Sequence, residues 1–342
     1  MTNIKPVTLK AIAKQFNMHI STVSRVLNSS DEIAYNAASK ETVRKIRQFA
    51  KQLGYRPNPH AISLRTNRSK EIAVLVPRLS DYVLATVYEG IEKAAIEQGY
   101  ITFVSNTYED TKRQRALAEQ AIYRHVDGLI IADIHLRQSP KLLKELTEKN
   151  IPFVLVSRHV EDYCAVTCDD LEGGRLAAQH LFSLGHTKIL IAAGQLYAST
   201  GKDRTKGFAD FYKAQGIQIP KRNIIPGAID VEAGSLLGEQ IFNQPLSKLP
   251  TAIFSVNDFM AVGIMAAASR KGIIIGKDIS LVGYNDTQVA ANLPIPLTTI
   301  KSPMYKMGYY AMQTLIQRIR GDVISSITFQ PELIVRASTF KI

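Results

Sequence analysis

Apolar side chains near the start of the chain recur every three or four positions, the spacing of helices that bury one face. Leu9, Ile12, Ala13 and Phe16 fall at i, i+3, i+4 and i+7, with Thr8 placed to cap the helix they predict. Asn17 suits the left-handed exit of a sharp turn, after which Met18 and His19 lead into a second helix that carries Val23, Val26 and Leu27 inward. A third stripe, Val43, Ile46, Ala50 and Leu53, stops at Gly54, a residue suited to the C-cap. Three short helices around one small core are expected, the first two joined as helix, tight turn, helix.

From Glu71 the pattern changes to short apolar runs separated by amphipathic stretches of helical length. The runs IAVLVP, YITFVSN, DGLIIAD, PFVLVS, KILIAAG, AIFSVND and DISLVGYND are rich in Val, Ile and Leu. Such continuous runs belong to parallel strands covered by helices on both faces, so a doubly wound α/β fold is expected. About nine strands exceed one such unit, which makes two similar α/β subdomains the more economical arrangement.

Composition sharpens this picture mainly through charge. Residues 1–70 carry 13 Lys and Arg against Asp31, Glu32 and Glu41, a net +10, whereas the remainder carries 29 against 27. A basic block that also shows ordered apolar periodicity is the electrostatic footprint of a polyanion-binding domain. The opening MTNIKPVTLK lacks the apolar stretch of a secretory signal and no long apolar run follows, which places the chain in the cytoplasm with no membrane role. Cys164 and Cys168 are too few for a disulfide framework or a four-cysteine metal site, and read as thiols.

With its apolar residues inward, the second helix turns Ile20, Ser21, Thr22, Ser24, Arg25 and Asn28 outward. Short hydroxyl side chains let a helix lie deep in the major groove, an arginine reaches guanine or phosphate, and an apolar tip touches a thymine methyl. On a basic segment, that face predicts DNA reading.

The stretch VTLKAIAKQFNMHISTVSRVLN, followed by LGYRPNPHAISLRT, resembles the N-terminal DNA-binding region of the LacI-type (lactose and purine repressor) transcription regulators, and the likeness continues to the C-terminus. Two departures stand out. Asn17, Met18 and His19 replace the usual Gly-Val-Ser, so the second helix loses a good N-cap and either His19 serves or the end is left to water, and SSDEIAYNAASKET is longer than the usual connection, with an unassigned conformation around Tyr35. The resemblance implies a hinge helix capped by Asn58 and Pro59, running through Ala61 and Leu64 toward Arg65, with Leu64 as a minor-groove wedge and Arg65, Arg68 and Lys70 suited to phosphates. The DNA-contacting set is then Thr8, Ile20, Ser21, Thr22, Ser24, Arg25, Asn28, Tyr55, Ala61 and Leu64.

Similarity to LacI-type cores and periplasmic sugar-binding proteins implies a three-part chain: a helix-turn-helix domain over 1–57, a hinge and linker over 58–69, and an effector-binding and dimerisation core over 70–342. The core divides into an N-subdomain (70–161 and 297–325) and a C-subdomain (162–296 and 326–342), with crossings near Glu161, Leu297 and Ser326. A small effector, a sugar or sugar acid, would sit between the lobes at the carboxyl ends of strands. Asp133, Asp169, Asn257, Asn285 and Asp286 follow strands directly, and Arg204 of DRTKGF and Asn257 of VNDFMAVG match the family's effector-binding positions. Asn285 stands where an aspartate is common, and Arg78, with Asp81 and Tyr82, replaces an Asn-Pro-Phe-Phe type wall, so the expected effector set is Arg78, Asp133, Asp169, Arg204, Asn257 and Asn285. Arg78 tilts that set toward a sugar acid or phosphorylated sugar.

Enzyme signals fail in detail. LEGGRL lacks the dinucleotide and phosphate-loop spacings, no nucleophile elbow occurs, and His125, His135, His159, His180 and His186 form no metal-ligand pair, Gly185-His186 reading as a helix stop. No cofactor or metal is expected. The terminal STFKI carries no heptad tail, so the expected protein is a homodimeric repressor of a catabolic operon on a pseudopalindromic double-stranded operator. The alternative, a solute-binding protein with the same core, lacks a basic helix-turn-helix leader and is exported.

Overall fold

A computed structural model of the chain describes residues 7–56, 63, 66 and 68–342, so the hinge residues Asn58, Pro59, Ala61, Leu64 and Arg65 lie outside the described residues. The chain divides into two compact units, Met1–Lys70 and Glu71–Ile342.

In the first unit, α1 (Leu9–Gln15) starts where Thr8 Oγ1 accepts from the Ala11 N–H at 3.3 Å. Asn17 takes the left-handed conformation (φ 49) that the turn requires, and α2 (Ile20–Asn28) follows. His19 does serve as the cap: its Nδ1 accepts from the Ser21 N–H at 3.2 Å. The long connection holds a helix of its own, α3 (Asp31–Ala37), whose first turn carries Asp31 and Glu32, favourable charges at a helix N-terminus. Ala34 drops into the core, and Arg47 of α4 (Lys40–Gln52) ties the segment down through Asp31 at 2.6 Å and the Val26 carbonyl at 3.2 Å. The core comprises Ile12, Ala13, Val23, Val26, Ala34, Val43, Ile46 and Ala50. Leu53, expected inside, instead caps α4 and is exposed, because the helix has already ended before its side chain could turn inward. Gly54 provides the left-handed exit (φ 64).

The second unit holds two six-stranded sheets. In the first, β1 (Glu71–Val76) pairs with β2 (Ile101–Asn106) and β3 (Gly128–Ile131), and the sheet continues through β4 (Phe153–Val156) and β5 (Ala165–Cys168) to β11 (Ile327–Phe329). In the second, β7 (Ile224–Pro226) is followed by β6 (Ile189–Gly194), β8 (Ala252–Ser255), β9 (Ser280–Asn285), β10 (Thr298–Lys301) and β12 (Glu332–Ile334). Pairing is parallel except between β10 and β12. Strand alternation fills both faces: Ile72, Val74 and Val76 join the layer made with α5 (Tyr82–Glu97) and α13 (Met304–Arg320), while Ala73 and Leu75 face α6 (Thr111–Tyr123) and α7 (Pro140–Glu148). The second sheet is covered by α8 (Asp170–Ser183) and α9 (Ser199–Ala214) on one face and α10 (Val231–Phe242) and α11 (Asp258–Arg270) on the other, with the short α12 (Gln288–Asn292) beyond β9.

The crossings fall later than the sequence suggests. Strand β5 still belongs to the first sheet, so the chain passes over after Cys168, not near Glu161. Likewise β10 stays in the second sheet, moving that crossing past Lys301 from Leu297, and β11 stays in the first, moving the last one past Phe329 from Ser326. These strands are three or four residues long and carry threonines, which hides them from an apolar-run reading.

Three helix pairs cross through glycines. Gly90 of α5 meets Gly308 of α13, Gly174 of α8 meets Gly207 of α9, and Gly234 of α10 meets Gly263 of α11. At each, an added β-carbon would overlap backbone of the opposite helix. The second glycine pattern explains LEGGRL: Gly174 admits α9, and Gly173 leaves room for the Tyr284 ring.

Candidate functional site

The outward face of α2 is as the sequence indicates. Ile20 is 43 % exposed, which removes it from the core, and Ser21 and Arg25 are exposed beside it. Thr22, Ser24 and Asn28 are half-buried, with Asn28 Nδ2 donating to Ser24 Oγ at 3.4 Å. The imidazole of His19 also meets the Ser21 hydroxyl at 2.6 Å, so the helix cap and the reading face share an atom. Thr8 caps α1 with its side chain still exposed, and Tyr55 rests half-buried on the head core. A helix with these short polar groups outward, on a unit this basic, has the shape and charge to enter a major groove.

The second unit has a cleft of about 390 Å³ at the carboxyl ends of strands from both sheets. Arg78, Asp81 and Glu109 line it from the first lobe with Arg158, and Gln195, Ile229, Asp230, Glu232 and Phe259 from the second. Beneath lies a small recess shared by Arg158, Gln195, Arg204 and Asn257.

Arg158 organises the first lobe's wall. Its guanidinium donates twice to Glu109, at 2.7 and 3.0 Å, and once to Asp133 at 3.0 Å. Burial alone would raise the Glu109 carboxyl, yet the hydrogen bonds and charge of Arg158 hold it down to about 2. Asp133, buried and next to that charged Glu109, is pushed up to about 7 although Thr107 also donates to it. His135 joins at 3.2 Å from Glu109, its imidazole pushed down by burial. The donor atoms of Glu109, Asp133 and His135 lie within 4.8 Å of one another, a spacing a cation could use, and here the guanidinium of Arg158 supplies the positive charge.

Arg204 organises the second lobe's wall. It donates from Nε to Asp170 at 2.8 Å and from Nη1 to the Val256 carbonyl at 2.8 Å, with its guanidinium 3.8 Å above the Tyr284 ring. Asn257 caps α11, its Oδ1 accepting from the Phe259 N–H at 2.7 Å, and its Nδ2 points to Asn285 Oδ1 at 3.4 Å. Asn285 is buried and held at φ 106, a left-handed backbone for a residue without glycine's freedom. Asp286, beside it, pairs instead with Arg336 at 2.7 Å.

The structure therefore gathers Arg78, Arg204 and Asn257 on or under the cleft, with Asn285 behind Asn257 and Asp133 behind Arg158. Asp169 is not among them. Its carboxylate caps α8, accepting from the Glu172 N–H at 3.0 Å, and lines a separate groove with His159 and Asp203. The neighbouring Asp170 turns inward to meet Arg204, since the first residue of α8 points away from the cap. Arg158, Glu109 and Gln195 were not singled out from sequence. Arg158 follows β4 directly, the signal that picked out Asp133, whereas Glu109 sits in a turn with left-handed backbone (φ 59) that leaves no sequence mark. Gln195 carries a buried Oε1 without a partner among the described residues, as a ligand-facing amide would.

Residues 8–58 match the family described as bacterial regulatory proteins, lacI family, and residues 178–339 match the periplasmic binding protein-like domain. The HTH-type transcriptional regulator DegA of Bacillus subtilis is 32 % identical, over 97 % of this chain and 98 % of its own. The HTH-type transcriptional repressor PurR of Klebsiella pneumoniae is also 32 % identical, over 97 % and 96 %. Among solved structures, the lac repressor dimer bound to operator and the anti-inducer ONPF superposes with a TM-score of 0.87 at 27 % identity, covering 98 % of this chain and 100 % of that one. The transcriptional regulator CelR in complex with cellobiose gives a TM-score of 0.72 at 25 % identity, over 97 % and 99 %.

Proposed function

This chain belongs to the lacI family of bacterial regulatory proteins, a DNA-binding transcription repressor by that membership, and from this premise we propose that a neutral, hydroxyl-rich sugar in the interlobe cleft controls its affinity for a pseudopalindromic operator. One observation carries the choice of ligand. Both buried arginines at the cleft are already balanced by carboxylates, Arg158 by Glu109 and Asp133 and Arg204 by Asp170. Asp81, Asp230 and Glu232 then outweigh the remaining Arg78, which disfavours a sugar acid or phosphosugar. Hydroxyls suit such a wall because they donate to carboxylates and accept from guanidinium and amide N–H groups. A cellobiose complex among the structural neighbours supports this class, and a purine, suggested by the PurR relatives, would need flat apolar walls where, among the described residues, Phe259 is the one aromatic side chain lining the cleft.

The protein acts in the cytoplasm, where its DNA is, as a homodimer, and its target is a catabolic operon that consumes the same sugar. No helix among the described residues is long and apolar enough to cross a membrane. A dimer axis relating two α2 helices calls for an inverted repeat of about 14 to 20 base pairs.

Thermal unfolding against neutral mono- and disaccharides, sugar phosphates and purines tests the ligand class. A neutral sugar at 100 times its Kd is expected to stabilise by about 2.7 kcal/mol. Stabilisation by a phosphosugar or purine alone would reject the reading. Arg204→Met, combined with Asp170→Asn so that no buried carboxylate is left unpaired, is expected to lose that stabilisation while DNA binding persists. For the reading head, exchanging Ile20 and Ser21 is expected to change base preference by about 10- to 100-fold at the contacted positions, in selection from randomised duplexes. An unchanged selected motif would remove α2 from base contact.

A further inference from the structure

Four contacts bridge the lobes along one flank of the cleft. His159, in the loop after β4, reaches Asp203 of α9 with Nε2 at 2.8 Å, and its backbone N–H donates to Ser199 Oγ at 2.9 Å. Leu136, in the loop after β3, donates its N–H to the Tyr197 carbonyl at 2.9 Å, and the His135 ring stacks on Tyr197 at 4.3 Å and 22°. Each contact joins a loop of the first lobe either to α9 or to the segment just before it in the second, so all four break together when the lobes part.

We propose that His159 and Asp203 form a proton-operated clasp that holds the lobes closed and makes the regulator's response to its effector depend on pH. An imidazolium donates to the carboxylate with full charge, whereas a neutral ring keeps only the hydrogen bond. The surroundings favour the proton. Asp203 faces His159 from α9 and Asp170 from α8, with Glu161, Asp162 and Asp169 lining the adjoining groove, and Lys202 opposes them. The Asp203 hydrogen bond raises the imidazole above its ordinary 6.5, against an opposing push from burial. In the parted lobes Asp203 is gone from its side and the ring returns toward the ordinary value. Closure therefore takes up a proton, the clasp is full below pH 6.5, and it weakens as pH rises through the raised value. An effector that requires closed lobes is held more tightly at the acid end, whatever its identity.

The His159 and Leu136 amides are themselves interlobe donors, so their exchange reports the clasp directly. Hydrogen-exchange mass spectrometry on the full chain at about pH 6 and about pH 8, corrected for intrinsic rates, is expected to show about three- to tenfold less protection of these peptides at the higher pH. In His159→Gln the protection should be low and the same at both pH values, and Asp203→Asn, which keeps shape and an acceptor, should also abolish the difference. Equal protection of the wild type at both pH values, or an undiminished difference in either folded variant, would overturn the clasp. Binding of a mixed-sequence duplex at both pH values provides the check that each variant's reading head is intact.

Discussion

Gly308→Ala is expected to destabilise the second unit by about 3 kcal/mol or more, a severe loss for a single methyl group. The β-carbon would land on the Val87 carbonyl oxygen of α5, and the obstacle is backbone, so no rotamer change relieves it. Separating α5 from α13 instead would open the layer made by Val87, Ile91, Met307, Ala311 and Leu315. Overpacking at the crossing is thus exchanged for a cavity beside it. Gly227→Ala, whose added carbon meets nothing within 4 Å, is the matched control and should be close to neutral. Urea unfolding followed by far-UV circular dichroism reads both. A Gly308→Ala midpoint equal to that of Gly227→Ala would mean that the helices slide past one another at little cost.

Those crossings mark a limit of what the sequence alone conveys. LEGGRL is visible in it, but a glycine pair separated by more than thirty residues, such as Gly174 and Gly207, declares itself only once α8 and α9 lie against each other. Local signals did better. Thr8, Asn17 and Gly54 act where short-range chemistry places them, because a cap or a left-handed exit depends on adjacent backbone alone. Helix α3 escaped because seven residues with Ile33 exposed and Ala34 inward make no stripe long enough to show a period. At the cleft, the rule that polar residues after strands face the ligand brought Asn257 and Asn285 together, yet it picked Asp169, and it is Asp170 that turns inward. The difference is made by the cap of α8, which turns one carboxylate to the helix and the next to Arg204.

The charge network at the cleft leads to the other large effect. Arg158→Ala should cost about 3–5 kcal/mol, because it strands two carboxylates that the protein has already taken out of water. Arg158 and Asp133 have side chains 7 % and 1 % exposed, so solvent cannot substitute for the lost guanidinium. The deficit should also depend on pH in a definite direction. In the wild type, Glu109 is held down to about 2 by Arg158, so its contribution is present above the ordinary 4.5 and fails only as pH falls through about 2. Asp133, pushed up to about 7, contributes stability that is present below the ordinary 3.8 and is lost as pH rises through about 7. Without Arg158 the Glu109 contribution reverses and both carboxyls resist ionisation, so the variant should be least stable near about pH 8 and recover toward about pH 5 as both take up protons. Adding Glu109→Gln and Asp133→Asn to Arg158→Met should restore most of the loss and flatten the pH profile, since no buried charge is then left without a partner. Urea midpoints of the three proteins across that range measure it. A deficit of the same size at both pH values, unrelieved by the triple change, would show that Arg158 acts through its packing and not through its charge.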